Sequence, residues 1–404
     1  MGAYRVRTAL VCLALASNPG WAGDDLLAAI ADGEALLDAR YRFEHVAEDG
    51  RAKRADASTL RLRLGYTATW RDFSGLVELE HIEAIGRQRY NDRINGLTEF
   101  PLVGDAPSTE PNRYWIANTS LPETRIKLGR QKIDLGNRNW VASAKFRQNQ
   151  QTYDSITATT TALADSTLAY AYVWLVDRTA GEDAVEGDFN SDSHLLDVGW
   201  TGWRYGKLGA FAHFIALDDR PDLSNRTLGG RIAGSAPLGP AVALVYTAEL
   251  AWQTDYRANP TESSHLFALV EPGFRARGLT AKLGFRLLEG DGITALQTPI
   301  GAKHRNRGWV DKFSTTPEDG LIDRYGALDW IPTKPNWLGG TRVRAEYHDF
   351  IADNGGARYG DEIDLGVSYR FRDTVTLSLE YADYRARNFA TDTRKFWASV
   401  ALAF

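Results

Sequence analysis

Residues 59–70 read Thr59-Leu60-Arg61-Leu62-Arg63-Leu64-Gly65-Tyr66-Thr67-Ala68-Thr69-Trp70. Leu60, Leu62, Leu64, Tyr66, Ala68 and Trp70 fall on one side of an extended chain, and Arg61, Arg63, Gly65, Thr67 and Thr69 on the other. Successive side chains of a strand point to opposite faces, so this stretch is a strand with one apolar wall and one charged wall. A single such strand could line a soluble core. Repeated along a whole chain, the pattern means something else.

It is repeated. Ala39, Tyr41 and Phe43 oppose Arg40, Arg42 and Glu44; Ile126 and Leu128 oppose Arg125 and Lys127. Leu279, Ala281, Leu283 and Phe285 oppose Lys282 and Arg286; Val343, Ala345 and Tyr347 oppose Arg342, Arg344 and Glu346. Ile363, Leu365, Val367 and Tyr369 oppose Asp364 and Arg370. The alternation predicts eighteen strands: 36–46, 58–70, 74–84, 113–121, 124–133, 152–162, 166–177, 194–202, 207–217, 226–236, 241–252, 263–272, 279–289, 320–331, 340–350, 361–371, 375–385 and 394–404. Segment 320–331 alternates least well, and only Asp24 to Leu37 carries a helical period.

The connections alternate in length. Those after odd-numbered strands include 85–112, 134–151, 178–193 and 290–319; most of those after even-numbered strands are tight, as at Arg71-Asp72-Phe73, Pro122-Glu123 and Arg372-Asp373-Thr374. Long loops on one rim and short turns on the other describe an outer-membrane β-barrel with an even strand count and both termini in the periplasm. A propeller or solenoid would show a repeat motif, and none is present. The last stretch, Arg394 to Phe404, alternates Phe396, Ala398, Val400, Leu402 and Phe404. A closing amphipathic strand with a terminal Phe is an assembly signal for outer-membrane barrels, so Phe404 is predicted to engage the barrel assembly machinery. Trp70, Phe73, Trp203, Tyr205, Trp337 and Phe371 fall near the predicted periplasmic strand ends, as an interfacial aromatic girdle requires.

Composition agrees. The chain has 404 residues, 44% apolar and 25% charged, with 45 aromatics among them, and its mean hydropathy is −0.34. That hydropathy and the lack of an 18-residue apolar run exclude a helical membrane protein, and one Cys excludes a disulfide scaffold or a Cys-rich zinc module. Arg5 and Arg7, the apolar Thr8 to Ala16 and the small Gly20 and Ala22 read as a secretory signal cut after Ala22. The expected organisation is a signal peptide over 1–22 and one all-β transmembrane barrel over 23–404.

The mature chain also resembles the alginate-export family of outer-membrane porins. The resemblance is carried by Ala39-Arg-Tyr-Arg-Phe-Glu44, Thr59 to Tyr66, Leu128-Gly-Arg-Gln-Lys-Ile133, Arg147 to Asp154, Gln297-Thr-Pro299, Gly308 to Phe313, Thr316 to Leu321 and Tyr347-His-Asp-Phe350. It implies eighteen strands, an arginine-lined lumen and passage of uronate-type saccharides. This chain has smaller loops than the best-known alginate exporter, which points to a generic relative.

One face of each strand meets lipid, so the polar face meets the lumen. The inward bases are then Arg40, Arg42, Arg61, Arg63, Arg125, Lys127, Lys282, Arg286, Arg342, Arg344 and Arg370, against the acids Glu44, Glu78, Glu80, Asp197, Glu249, Glu346, Asp364 and Glu380. Eleven bases against eight acids leave the lumen basic in a chain whose net charge is −5. Two readings stay open here: a positively lined passage that concentrates anions, or Arg and acid pairs that brace the wall. Two basic loop stretches are candidate constrictions: 137–151 with Arg138, Lys145 and Arg147, and 301–312 with Lys303, Arg305, Arg307 and Lys312. Each could equally stay outside as a solvated loop.

Chemistry-bearing motifs are absent. The seven His lack HExxH spacing, and no GxSxG, P-loop or dinucleotide fingerprint is present. Alternation splits Glu78, Glu80, His81 and Glu83 across two faces, and Asp188 to Asp192 opens like a calcium loop but lacks the Gly and the distal Glu. The expectation is therefore a passive, non-enzymatic channel with no metal, no cofactor and no nucleic-acid partner. It passes anionic solutes or uronate-type saccharides, with a monomer as the default state. The alternatives are a general diffusion porin without charge preference and a barrel-embedded hydrolase, which would need a Ser beside a His.

Overall fold

One antiparallel sheet of eighteen strands closes on itself in the computed structural model, which describes residues 22–333 and 339–404. The strands are β1 (Glu34–Glu48), β2 (Ala55–Trp70), β3 (Phe73–Ala84), β4 (Ser108–Asn118), β5 (Thr124–Gln131) and β6 (Thr152–Thr160). Next come β7 (Ser166–Asp177), β8 (Asp188–Trp203), β9 (Gly206–Ile215), β10 (Asn225–Pro237), β11 (Val242–Asp255) and β12 (Ser264–Ala276). The last six are β13 (Leu279–Leu288), β14 (Leu321–Trp330), β15 (Thr341–Ile351), β16 (Arg358–Phe371), β17 (Val375–Ala386) and β18 (Thr393–Ala403). Each strand pairs with its sequence neighbours, and β18 returns to β1 from Asp38↔Ala403 to Glu48↔Thr393. Closure satisfies every edge, which a sheet in hydrocarbon requires.

All eighteen predicted segments are strands, including the poorly alternating one, which pairs on both sides as β14. The boundaries fail where strands rise beyond the lipid belt. β8 begins at Asp188 rather than 194, because Asp188 to Ser193 is polar on both faces apart from Phe189 and carries too little alternation to read. The stretch that opens like a calcium loop is an extended strand, with Asp192 ion-paired to Arg257. β4 begins at Ser108 rather than 113, hidden by Pro111 and by an irregularity opposite Glu78/Leu79. The helical period was read too far: α1 covers Ala22–Ala31, and Glu34 to Leu37 already pair with Thr67 to Leu64. The predicted signal sequence up to Trp21, and Trp337 of the girdle, lie outside the described residues.

The outer face is apolar and bare. Leu64, Val77 and Leu283 keep 54%, 61% and 71% of their surface, with Leu250, Phe274 and Leu379 similarly exposed around the belt. An apolar surface this extensive needs lipid to cover it. Near the tight-turn rim, Trp70 stacks on Phe73 and Trp203 packs against Tyr205 and Tyr246, as a girdle would.

The barrel is not empty. Trp140, Val141, Leu296, Ile300, Trp309, Val310 and Phe313, all from the 132–151 and 289–320 loops, are buried in one cluster with the inward Phe211, Phe267, Phe350, Tyr384 and Trp397 of the wall. Both loops therefore fold into the lumen. They also bind each other: the Ala142 N–H donates to the Ile300 carbonyl at 3.0 Å and the Ala302 N–H to the Arg138 carbonyl at 2.9 Å. At Gly301, between those bonds, a Cβ would collide with the Asn139 carbonyl, so the approach needs glycine.

Candidate functional site

With two loops filling the centre, a cavity of about 860 Å³ lies against β1, β17 and β18. Its lining runs from Arg93, Leu102, Arg178 and Glu186 in the long loops to Ser378, Ser399 and Ala401 toward the tight-turn rim. The volume suits a small solute. Eleven Lys or Arg line it against five Asp or Glu.

The arginines of β1 and β2 come first. In register Arg40 faces Arg61, so like charges meet directly across the strands, which is unfavourable without oxygen partners. The 132–151 loop supplies many of them. Arg40 donates to Gln148 Oε1 at 2.9 Å, to the Lys145 carbonyl at 3.2 Å and to the Arg147 carbonyl. Arg42 donates to the half-buried Phe146 carbonyl and to buried Asp105. Arg61 pairs with Asp38 and Arg63 with Glu80, and both reach toward the Gln148 carbonyl. Four of the eleven predicted lumen bases thus fasten the loop to the wall. Arg61 and Arg63, 5% and 6% exposed, lie beneath the loop and not along the cavity.

The other predicted wall bases lie away from the cavity, and all but Arg370 are held locally. Arg286 pairs with buried Asp323 at 2.9 Å, and Arg342 bonds to Asp329 at 2.8 Å with Arg344 4.0 Å from the same carboxylate. Lys282 lies 3.7 Å from Glu271, and Arg125 and Lys127 sit 5.3 and 4.6 Å from the Trp115 ring centroid. Arg370 is exposed near the tight-turn rim. Among these predicted lumen bases, Arg61, Arg63, Arg342 and Arg344 each have a carboxylate partner within 4.0 Å.

The loop bases fare differently. Arg138, Lys145, Arg147, Lys303, Arg305 and Lys312 all line the cavity. Arg147 pairs with Glu44, Arg305 with Glu380 and Lys312 with Glu48. Arg307 does not line it; it is 4% exposed and donates to Thr298, Thr316 and the Phe313 carbonyl, tying its own loop together. Burial, with Arg307 nearby, pulls Lys303 down to about 7.

The cavity's acids are all matched: Glu48 by Lys312, Asp134 by Arg138, Glu186 by Arg178, Asp311 by Arg147 and Glu380 by Arg305. Five of its bases, Arg40, Arg93, Lys145, Lys303 and Lys395, have no carboxylate within 4 Å among the described residues. The excess charge is thus entirely positive. Lys395 was legible, because β18 alternation that turns Phe396 outward turns Lys395 inward. Arg93 and Arg178 lie in loops, where alternation is silent.

Solved structures now bear on the fold. The chain is similar to OccAB4 of Acinetobacter baumannii, with a TM-score of 0.75 at 13% identity over 92% of this chain and 98% of that one. The same organism's OccAB2 gives 0.73 at 14% over 93% and 99%, and Pseudomonas aeruginosa OpdK, solved with vanillate, gives 0.71 at 14% over 92% and 98%. The fold is that of these outer-membrane barrels. No protein-family model matches the sequence, and no curated protein does. No serine hydroxyl is hydrogen-bonded to a histidine ring among the described residues. The Glu78, Glu80, His81 and Glu83 group is divided as expected: the two inner acids pair with Arg113 and Arg63, while His81 and Glu83 are exposed.

Proposed function

We propose that this protein is an outer-membrane channel for small anionic solutes, carboxylates above all, delivered to the membrane by an export signal over residues 1–22. One observation carries the reading: every acid lining the cavity is ion-paired while five of its bases are not. A carboxylate entering the cavity meets lysine and arginine donors with no competing protein anion, and charge-assisted bonds to such donors are strong enough to select it. The vanillate in the OpdK structure is itself a carboxylate. The stretches that resemble alginate-export porins extend the reading to uronates, which carry the same group. Two loops folded into the lumen favour single sugars or short oligomers over a long polymer.

Planar-bilayer reversal potentials under a salt gradient test the reading. The parent channel prefers anions, and replacing Lys145, Lys303 and Lys395 with Gln together lowers that preference while the barrel still folds. A cation-selective parent, or a triple variant indistinguishable from it, would establish a general porin instead.

A further inference from the structure

Behind the 289–320 loop, on the inner face of β15 and β16, stands a group that the anion passage does not use. Glu346, His348 and Asp364 each offer a ligand atom, and these atoms all lie within 4.8 Å of one another. His348 Nε2 is 3.5 Å from Glu346 Oε2 and 3.7 Å from Asp364 Oδ2. Those separations are long for hydrogen bonds. They suit two ligands of one ion: bonds of about 2.1 Å at a tetrahedral angle put neighbouring ligand atoms roughly 3.4 Å apart.

Three observations aim these atoms at a shared point. The Asp364 side chain is fully buried, and neither of its carboxylate oxygens has a hydrogen-bond partner; His348 Nε2 is likewise unpartnered and buried. The other ring nitrogen, Nδ1, donates to Asp323 Oδ1 at 2.8 Å, and Asp323 is held in turn by Arg286 at 2.9 Å. That carboxylate–imidazole arrangement turns Nε2 toward the two acids, where a bound ion would take the place of its proton, as in the outer shell of a metal-bound histidine. The ring is also fixed in plane, stacked between Tyr325 and Phe350 with centroids 5.2 and 5.3 Å away. The neighbouring guanidiniums of Arg286 and Arg305 are engaged by Asp323 and Glu380.

We infer that Glu346, His348 and Asp364 form a binding site for a divalent first-row transition ion of the Zn2+ type. An imidazole beside two carboxylates selects such an ion over Ca2+ or Mg2+, which favour all-oxygen shells. The site also lies where it can fasten the loop. Glu362, two residues before Asp364 on the same face, accepts the Val310 N–H at 2.8 Å, and a Cβ at Gly366 would come 2.8 Å from the Trp309 ring.

The test uses the full folded chain in detergent, without a polyhistidine tag, stripped with a chelator and titrated with Zn2+ by calorimetry. One Zn2+ per chain is expected, undisturbed by an equal concentration of Ca2+ or Mg2+. His348→Gln and Asp364→Asn each weaken binding roughly tenfold or more, with folding checked by heat-modifiable mobility. Glu346→Gln, at the most accessible ligand, does the same should either buried variant fail to fold. Co2+ in place of Zn2+ gives the strong visible absorption of a four-coordinate ion in the parent and loses it in the variants. No stoichiometric binding, unchanged binding in the folded variants, or displacement by Ca2+ or Mg2+ overturns the assignment.

Discussion

Arg42→Gln separates the charge that holds the loop from the charge that meets a solute. The Arg42 guanidinium is 4% exposed and is shared between Asp105 and Glu44, each 1% exposed, while also holding the Phe146 carbonyl. Without it Glu44 keeps Arg147 at 2.8 Å, but Asp105 is left with the Gln148 N–H at 2.9 Å and no cation bonded to it. Removing one partner of a buried pair costs about 3–5 kcal/mol. The ladders from β1 to β2 and to β18 do not involve this side chain, so the loss falls on docking of the 132–151 loop. At 1.4 kcal/mol per decade, the docked-to-free ratio falls by roughly two to three and a half powers of ten. Single-channel recordings at high salt should show a second, larger conductance level with transitions between the two. Adding Asp105→Asn removes the stranded charge and recovers part of the docking. Lys145→Gln loses the same charge from the cavity without touching an ion pair; it shifts selectivity and adds no conductance level. A trace for Arg42→Gln identical to the parent, or a double variant as damaged as the single, would refute the loop-clamp assignment.

Three further outcomes are expected. Leu64→Arg puts a charge on the lipid face of β2 and costs roughly 2–4 kcal/mol near mid-bilayer, whereas Ser378→Arg, on the cavity wall, folds as the parent does; equal folding yields would mean that the inward and outward faces are reversed. Deleting Phe404 removes its two backbone bonds to Leu37, of 2.9 and 3.1 Å, together with the terminal aromatic; folded, heat-modifiable barrel in the outer membrane falls, and parent levels would disprove the role. Lys303, pulled down to about 7, is charged below that pH and neutral above it, so anion preference in reversal-potential measurements rises as pH falls through neutrality; Lys303→Gln should lose that step, and an unchanged pH profile in the variant would exclude Lys303 as its source.

The barrel was legible because lipid enforces alternation. Leu60, Leu62 and Leu64 have no alternative to facing outward once Arg61 and Arg63 face inward, and a one-residue slip would reverse every side chain. That constraint ends with the lipid, which is why β8 was shortened at its polar start. Alternation also says that a base faces inward without saying what it meets there. Arg61 and Arg342 look alike in sequence; one lies under a loop and the other beside Asp329, and neither partner is near in sequence. The clamp joins Arg40 and Arg42 to residues more than a hundred positions away, a contact that only closure of the barrel creates. The same applies to the loops, whose apolar Trp140, Val141, Trp309 and Phe313 were the overlooked sign that they enter the lumen.

On the proposed anion reading, the strand register also explains why a passage would need those loops. Lys395 pairs in register with Val46, and Arg40 lies six residues further along the same strand. At about 3.3 Å per residue that is roughly 20 Å of wall, more than twice the screening length of about 8 Å at physiological salt. An anion released by Lys395 would not feel Arg40, and two isolated charges make two traps, not a path. The loops fill the gap. Phe146 and His304 stack with centroids 3.3 Å apart beside Trp397, which registers with Glu44, so Lys303 sits close to the level of Lys395. The Lys145 carbonyl is bound by Arg40 itself while Phe146, the next residue, belongs to that stack, so Lys145 links the Lys303 level to Arg40. Charges spaced within a screening length let an anion transfer from one weak site to the next. Half of that series, Lys145 and Lys303, is built from loop residues, and the wall arginines of β1 and β2 serve largely to hold the 132–151 loop in place.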